Sequence, residues 1–568
     1  MKLFKNIKKW LENQEHLFYL FLLILIVPNI ILCFTEPMPV VAKVCNVLLP
    51  FAFYYLLMTL SRNCGKMFWI LFLFIFFGAF QIVLLYLFGQ SIIAVDMFLN
   101  LVTTNSSEAM ELLDNLVPAL VSVIILYIPA LILAAISIIK KRKLSPEFIC
   151  RERKKAWFAL LIGFISLGAA YGLDKRYELK SDLYPANVCY NVALAFQRNV
   201  QTRMYHRTSE NFTFNARPSH SEDRREIYIM VVGETSRALN WSLYDYDQDT
   251  NPELSKIEGV TSFCHVLTES NTTHKSVPML LSPVSAQNFD SIYYRKSVIT
   301  AFKEAGFQTA FFSNQRYNHS FIDFFGMEAD TYDFIKEDSQ DSQYNPSDDE
   351  LLMLVEKELE KGNRKQFIVL HTYGSHFNYR ERYPETAAFF LPDFPVNAEV
   401  KYKDNLMNAY DNSIRYTDNF LARIIHLLKQ QQVDASMLYT SDHGEDIFDD
   451  GRHLFLHASP VPSYYQLHVP LLLWTSDSYR EEYPGIEKAA SMNRQKNISS
   501  SISFFQTMME LAGIETPYRN DSLSVTSPLY TEKSRVYLND HNEPRPLDDI
   551  GMRNEDFEML KKRGIDAQ

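Results

Sequence analysis

EIYIMVVGETSR, residues 226–237, is the stretch that decides the fold. A short β-rich run, 226–232, stops at a glycine and is followed at once by an acid, Glu234. Four runs of the same kind come after it: QTAFFS (308–313), QFIVLH (366–371), SMLYT (436–440) and VPLLLWT (469–475). Longer amphipathic stretches lie among them, at 348–361, 402–430 and 500–513. This strand–helix alternation predicts an α/β domain with a mainly parallel sheet sandwiched by helices.

An open α/β sheet binds its ligands beyond the carboxyl ends of the strands. The polar residues that follow each run are therefore the candidates. They are Glu234 after the first, Asn314 and His319 after the second, and His371 and His376 after the third. Asp442, His443 and Glu445 follow the fourth, and His457 lies fourteen residues past His443. Any one of them is accounted for by a hydrogen-bonded strand-end polar group. The set, carboxylates and imidazoles after strand upon strand, points instead to a divalent cation such as zinc or manganese.

The sequence changes character on the N-terminal side of this domain. Residues 1–173 contain five long apolar runs, at 17–34, 44–60, 68–88, 116–139 and 157–173. Each is close to the ~17–25 residues that a helix needs to cross a bilayer. The first lacks a small-residue cleavage site and reads as a retained anchor. Basic residues crowd the N-terminus and the 140–155 loop, whereas residues 89–115 carry none. Five crossings then put everything after about residue 174 on the outer side. The 89–115 segment places Asn100, Thr104 and Glu108 on one face of an expected amphipathic helix over about 92–114. Residues 174–224 read as a connector with a helix at 186–204, and 225–568 as the catalytic domain.

Charge divides in the same place. Residues 1–173 carry a net charge of +6 and the remainder −17. An external part that acidic would be repelled by backbone phosphates, which excludes nucleic acid as a partner. Of six cysteines only Cys189 and Cys264 lie in that part, which allows one disulfide at most, and none has metal-type spacing.

A metal site of this kind still needs a nucleophile. TESNTTHKSVPML, residues 268–280, offers five hydroxyls, Thr268, Ser270, Thr272, Thr273 and Ser276. A threonine or serine hydroxyl is unreactive at neutral pH unless a metal or a base lowers its pKa. The Pro278-Met279-Leu280 end reads as the start of a buried helix, which would place a hydroxyl near a helix N-terminus, where anions are favoured.

VVGETSRALNWSLYDYDQDTNPEL, TTHKSVPML, LHTYGSHFNYRERYP and TSDHGE, behind five apolar runs, resemble the lipid A phosphoethanolamine transferases of the alkaline phosphatase/sulfatase-like superfamily. The likeness covers nearly the whole chain in the same order. It implies a bacterial inner-membrane enzyme, multi-pass and monomeric, with a five-helix transmembrane domain and a periplasmic catalytic domain. Its donor would be phosphatidylethanolamine, and its acceptor lipid A or another lipopolysaccharide or surface glycan. Glu234, Thr273, Asp442 and His443 match the residues that bind the catalytic zinc. By the same resemblance Thr273 would be the nucleophile, since it stands three residues before Ser276-Val277-Pro278, as the family's threonine does.

His376 and His457 match histidines that bind the transferred group or a second zinc, or exchange protons. Asn100, Thr104 and Glu108 match a helix of the donor-lipid site. His319 stands where the family has a substrate-site lysine, and Asn271 and Met279 stand where it often has cysteines. A phosphoglycerol transferase would need the same metal and threonine, and an inactive membrane sensor would show gaps in the ligand set. No formylglycine-type C/S-x-P-x-R motif follows Thr273.

Overall fold

Every residue of the 226–233 run is buried, and that burial makes it the middle of a sheet rather than an edge. The computed structural model describes residues 10–36, 38–88, 92–98, 106–336 and 345–567. It divides into two units: one holds the described residues up to Phe98 together with Leu112–Phe196, and the other holds Gln197–Gln568 together with the described residues of Leu99–Glu111.

The first unit is helical. Its helices are α1 (Gln14–Thr35), α2 (Val40–Met58), α3 (Cys64–Ile70), α4 (Phe72–Phe88), α5 (Ser106–Ile139) and α6 (Pro146–Leu173). Side chains of Asn13, Asn63 and Ser145 cap α1, α3 and α6 by accepting backbone N–H bonds. Among the described residues four helices are long and apolar enough to cross a membrane, and a fifth span follows if the bent pair counts as one. That pair is the expected third run, broken into α3 and α4 with a 62° bend.

Part of the stretch read as a connector is tied onto these helices. Asn29 donates to the carbonyls of Asn46 and Tyr184, Asn46 donates to that of Asp182, and the Tyr177 hydroxyl donates to Asn46. Such pairing satisfies polar groups that would be costly in an apolar surround. Helix α7 (Ala186–Arg203), one residue short of expectation, carries the chain into the second unit. Asn100 and Thr104 lie outside the described residues. Glu108 falls in the first turn of α5, and the expected 92–114 helix is described only at its two ends.

The second unit is built on seven strands: β1 (Glu226–Gly233), β2 (Val260–Phe263), β3 (Gln308–Ser313), β4 (Thr331–Phe334), β5 (Lys365–His371), β6 (Asp434–Ser441) and β7 (Leu471–Thr475). Their order is β2-β7-β6-β1-β5-β3-β4. The four pairings from β6 to β4 are parallel, and β7 runs antiparallel to both β6 and β2. The sheet is thus mainly parallel. The five expected strands are all present, and β2 and β4 are additions at the two edges. Each edge strand has four residues and is partly exposed, so neither shows a continuous apolar run.

Helices α8 (Thr273–Leu280), α9 (Asp349–Glu360), α10 (Lys403–Gln431) and α11 (Ser500–Leu511) accompany the strands. One expectation is overturned. The buried helix does not begin at Pro278-Met279-Leu280; α8 begins five residues earlier, at Thr273, and Pro278 lies inside it. Five residues of α8 precede that proline, so its missing N–H removes only one late hydrogen bond of a two-turn helix. All six cysteines are free, so Cys189 and Cys264 do not pair.

Candidate active site

Parallel register sets the site. Val232 of β1 pairs with His371 of β5, Ser313 of β3 pairs with His371, and Gly233 pairs with Ser441 of β6. The carboxyl ends of four strands are therefore level, and Glu234, Asn314, His371 and Asp442 all emerge at one edge.

The two motifs around β1 and β6 are stitched together by backbone donors. Thr235 N and His443 N both donate to Asp442 Oδ1, at 3.0 and 2.8 Å, and Ser236 N donates to Ser441 Oγ. Arg237, fully buried between the rings of Tyr410 and Tyr465, reaches from the first motif to the second. It donates to the Glu445 carbonyl and to Asp449 Oδ2, at 2.9 and 2.7 Å. Two glycines permit the closeness. A Cβ at Gly444 would lie 2.2 Å from the Tyr465 carbonyl oxygen, and one at Gly374 (φ +49°) 2.7 Å from that of Glu234.

One ligand atom each from Glu234, Asp442 and His443 lies within 4.8 Å of the others, and all three side chains are buried. Asp442 Oδ2 is buried and makes no hydrogen bond. Among the described residues no Lys or Arg pairs with Glu234 or Asp442. Burial, and then the neighbouring Asp442, raises the Glu234 carboxyl well above its ordinary range. Burial lowers the His443 imidazole to about 4. Two adjacent dry carboxylates and a neutral imidazole form a donor set that a divalent cation would satisfy.

Thr273 completes the cluster. Its Oγ1 is 3.2 Å from Glu234 Oε1 and 3.2 Å from His443 Nε2. The four other hydroxyls of its loop are engaged within that loop. Thr268 and Ser276 donate to the Ser270 carbonyl, and the hydroxyls of Ser270 and Thr272 pair with each other. Asn271 braces the loop from below, donating to the Ser459 carbonyl and to Gln466 while accepting from Tyr537.

His376 and His457 flank the cluster, with ring centroids 5.9 Å apart, and the His457 ring is 4.2 Å from that of His443. Both are held below their ordinary range by burial, His457 at about 4. His319 stands elsewhere. It lines a cavity of about 590 Å³ together with Arg198, Arg203 and the two residues that follow Thr273, His274 and Lys275. Asn314 donates to Asp348, and His371 Nδ1 meets Ser313. Sequence reasoning gave no role to Arg237, Tyr379 or Tyr410. Only the arginine in GETSR, beside an acid at a strand end, could have hinted at it.

The family model described as sulfatase matches residues 226–514, just over half of the chain. Phosphoethanolamine transferase EptA of Salmonella typhimurium is 29% identical over 324 residues, which span 54% of this chain and 56% of that protein. The matched length is thus about half of this relative. The integral membrane lipooligosaccharide phosphoethanolamine transferase A from Neisseria meningitidis superposes with a TM-score of 0.71 at 21% identity, covering 89% of this chain and 98% of that one. The periplasmic domain of Escherichia coli EptC, solved in complex with Zn, gives 0.54 at 23% identity over 60% of this chain and 97% of that domain.

Proposed function

This chain belongs to the sulfatase family, and on that premise we propose that it is a membrane-bound phosphoethanolamine transferase acting through Thr273. The donor is phosphatidylethanolamine, and the acceptor is lipid A or another lipopolysaccharide or surface glycan. The supporting observation is the Thr273 hydroxyl, equidistant from Glu234 Oε1 and His443 Nε2 at 3.2 Å. The names of the matched relatives support the same chemistry.

Glu234, Asp442, His443 and Thr273 would hold Zn²⁺, which supplies positive charge that favours the alkoxide of a bound hydroxyl and offsets charge on the phosphoryl oxygens. Thr273 Oγ1 gives up its proton and attacks phosphorus, the P–O bond to diacylglycerol breaks, and the departing oxygen takes up a proton. Phosphoethanolamine is then esterified to Thr273. An acceptor oxygen attacks in turn, gives up its proton, and Thr273 Oγ1 leaves. His376 or His457 serves these proton transfers. The cavity bearing Arg198, Arg203, Lys275 and His319 has the cationic lining that a phosphorylated headgroup requires. Basic residues at the N-terminus and over 140–155 orient the first unit in the bacterial inner membrane, with the second unit in the periplasm.

The test is transfer from a headgroup-labelled donor lipid to lipopolysaccharide in membranes carrying the chain. Wild type labels the acceptor, and a brief reaction leaves label on Thr273. Thr273→Ala abolishes both. Appreciable transfer by that variant, or label on another residue, sinks the assignment.

A further inference from the structure

Glu445 is the one fully buried acid of the site that the scheme above leaves without a task. It follows Gly444 directly and has no exposed surface. Both carboxylate oxygens are engaged: Oε1 lies 3.0 Å from His457 Nδ1, and Oε2 accepts from the Tyr379 hydroxyl at 2.6 Å. Its backbone carbonyl accepts from Arg237. Tyr379 is fully buried and packs edge-on against Tyr410, so the far end of this chain of contacts is fixed as well.

His457 itself sits on an irregular backbone. Leu456 (φ +67°) and Ala458 (φ +63°) are both left-handed, a conformation that costs a non-glycine residue about 1 kcal/mol or more. Ala458 N donates to the Asn271 carbonyl, two residues from Thr273. The segment is thus bent twice to bring one imidazole up beside the nucleophile loop. Among the described residues Nε2 of that imidazole has no hydrogen-bond partner, while Nδ1 has Glu445.

The geometry points to Glu445 as a positioning residue. Held by Tyr379, it fixes the His457 ring as the Nδ1–H form, so that the Nε2 lone pair is left for the substrate oxygen. The inference rests on the transferase reading for what His457 does, but the ring state can be observed without it. An imidazole free to rotate or to exchange tautomers would present an N–H or a carbon where a lone pair is needed. His376 is oriented differently, its Nδ1 lying 2.6 Å from the Phe377 carbonyl, so the carboxylate contact belongs to His457 alone of the two.

Full-length protein labelled with ¹⁵N-histidine, in detergent, gives ring-nitrogen signals, and the His457 set is identified by its loss in His457→Ala. An Nδ1–H signature in the wild type, lost or mixed in Glu445→Gln and partly mixed in Tyr379→Phe, is the expected result. Transfer by Glu445→Gln should fall by about 10²-fold in kcat, with KM and bound zinc unchanged. In a His457→Ala background the same change should cost nothing more. A wild-type Nε2–H signature, an unaltered signature in Glu445→Gln, or independent losses in the double variant would overturn the inference. If the wild type transfers no phosphoethanolamine, the functional reading falls, while the nitrogen signature still decides this point.

Discussion

Strand β1 has a buried glutamate at each end, and the two are treated in opposite ways. At the start, Glu226 lies 2.7 Å from His220 Nδ1 and 3.3 Å from Lys365 Nζ. Just past the finish, Glu234 meets Asp442, His443 and the Thr273 hydroxyl, and no Lys or Arg among the described residues. Residue type and burial are shared; the partners differ. A dry carboxylate with a cation of the chain beside it has its charge offset from within, whereas one facing another carboxylate demands a charge from outside. The proposed chemistry lies at the end left incomplete.

The largest expected difference is in activity. Glu234→Gln should lower transfer by at least ~10³-fold, the scale lost when charge stabilisation of a reacting centre is removed. Glu226→Gln should leave kcat within about threefold. Comparable losses in both variants, measured with the labelled donor lipid, would erase the distinction between the two ends.

Metal removal sharpens the same contrast. Chelation should lower wild-type stability by about 4 kcal/mol, as expected for a site filled at ~10³ times its Kd. Glu234→Gln should show almost none of this sensitivity, and stripped of metal it should melt above stripped wild type, because wild-type Glu234 must take up a proton to sit neutral beside Asp442 and Gln need not. Glu226→Gln should respond to chelator as the wild type does. The reverse cost appears in metal-replete protein, where breaking the buried pair with Lys365 should cost Glu226→Gln about 3 kcal/mol.

The contrast also shows what the sequence could reveal. β1, β3, β5, β6 and β7 were legible because strands buried in the middle of a sheet are written as continuous apolar runs. Glu234 and Asp442-His443 were legible because parallel strands end level. β2 and β4 were not, since four half-exposed residues carry no pattern. The proposed nucleophile was only half legible. Five hydroxyls in one loop are chemically alike, and Thr273 was singled out by resemblance. Its distinction is spatial: the other four bond within the loop, and Thr273 alone reaches across to β1 and β6. Arg237 and Tyr379 were illegible because their partners lie far along the chain, at Asp449 and Glu445.

A third buried glutamate supplies the smallest effect and the finest test of the rule. Glu269, one residue before the nucleophile loop's Ser270, accepts from Ala286 N at 2.8 Å, and among the described residues it has no ion pair. It has neither the lysine of Glu226 nor the cation that Glu234 implies. Burial raises its carboxyl to about 7, against the opposing Ala286 hydrogen bond. The third way to complete a dry carboxylate is thus a proton. The raised value fixes the sign: between about pH 4.5 and 7 the folded chain holds a proton that the unfolded chain has released. This contribution is therefore full at the acid end and lost as pH rises towards 7. Between pH 5 and 7 it should cost wild type about 2 kcal/mol relative to Glu269→Gln, which cannot ionise and keeps its acceptor for Ala286. Chemical denaturation of both proteins across that range should give curves that converge at low pH and separate at neutral pH. Parallel curves would mean that Glu269 is ionised, and that a buried carboxylate in this fold can persist with neither cation nor proton.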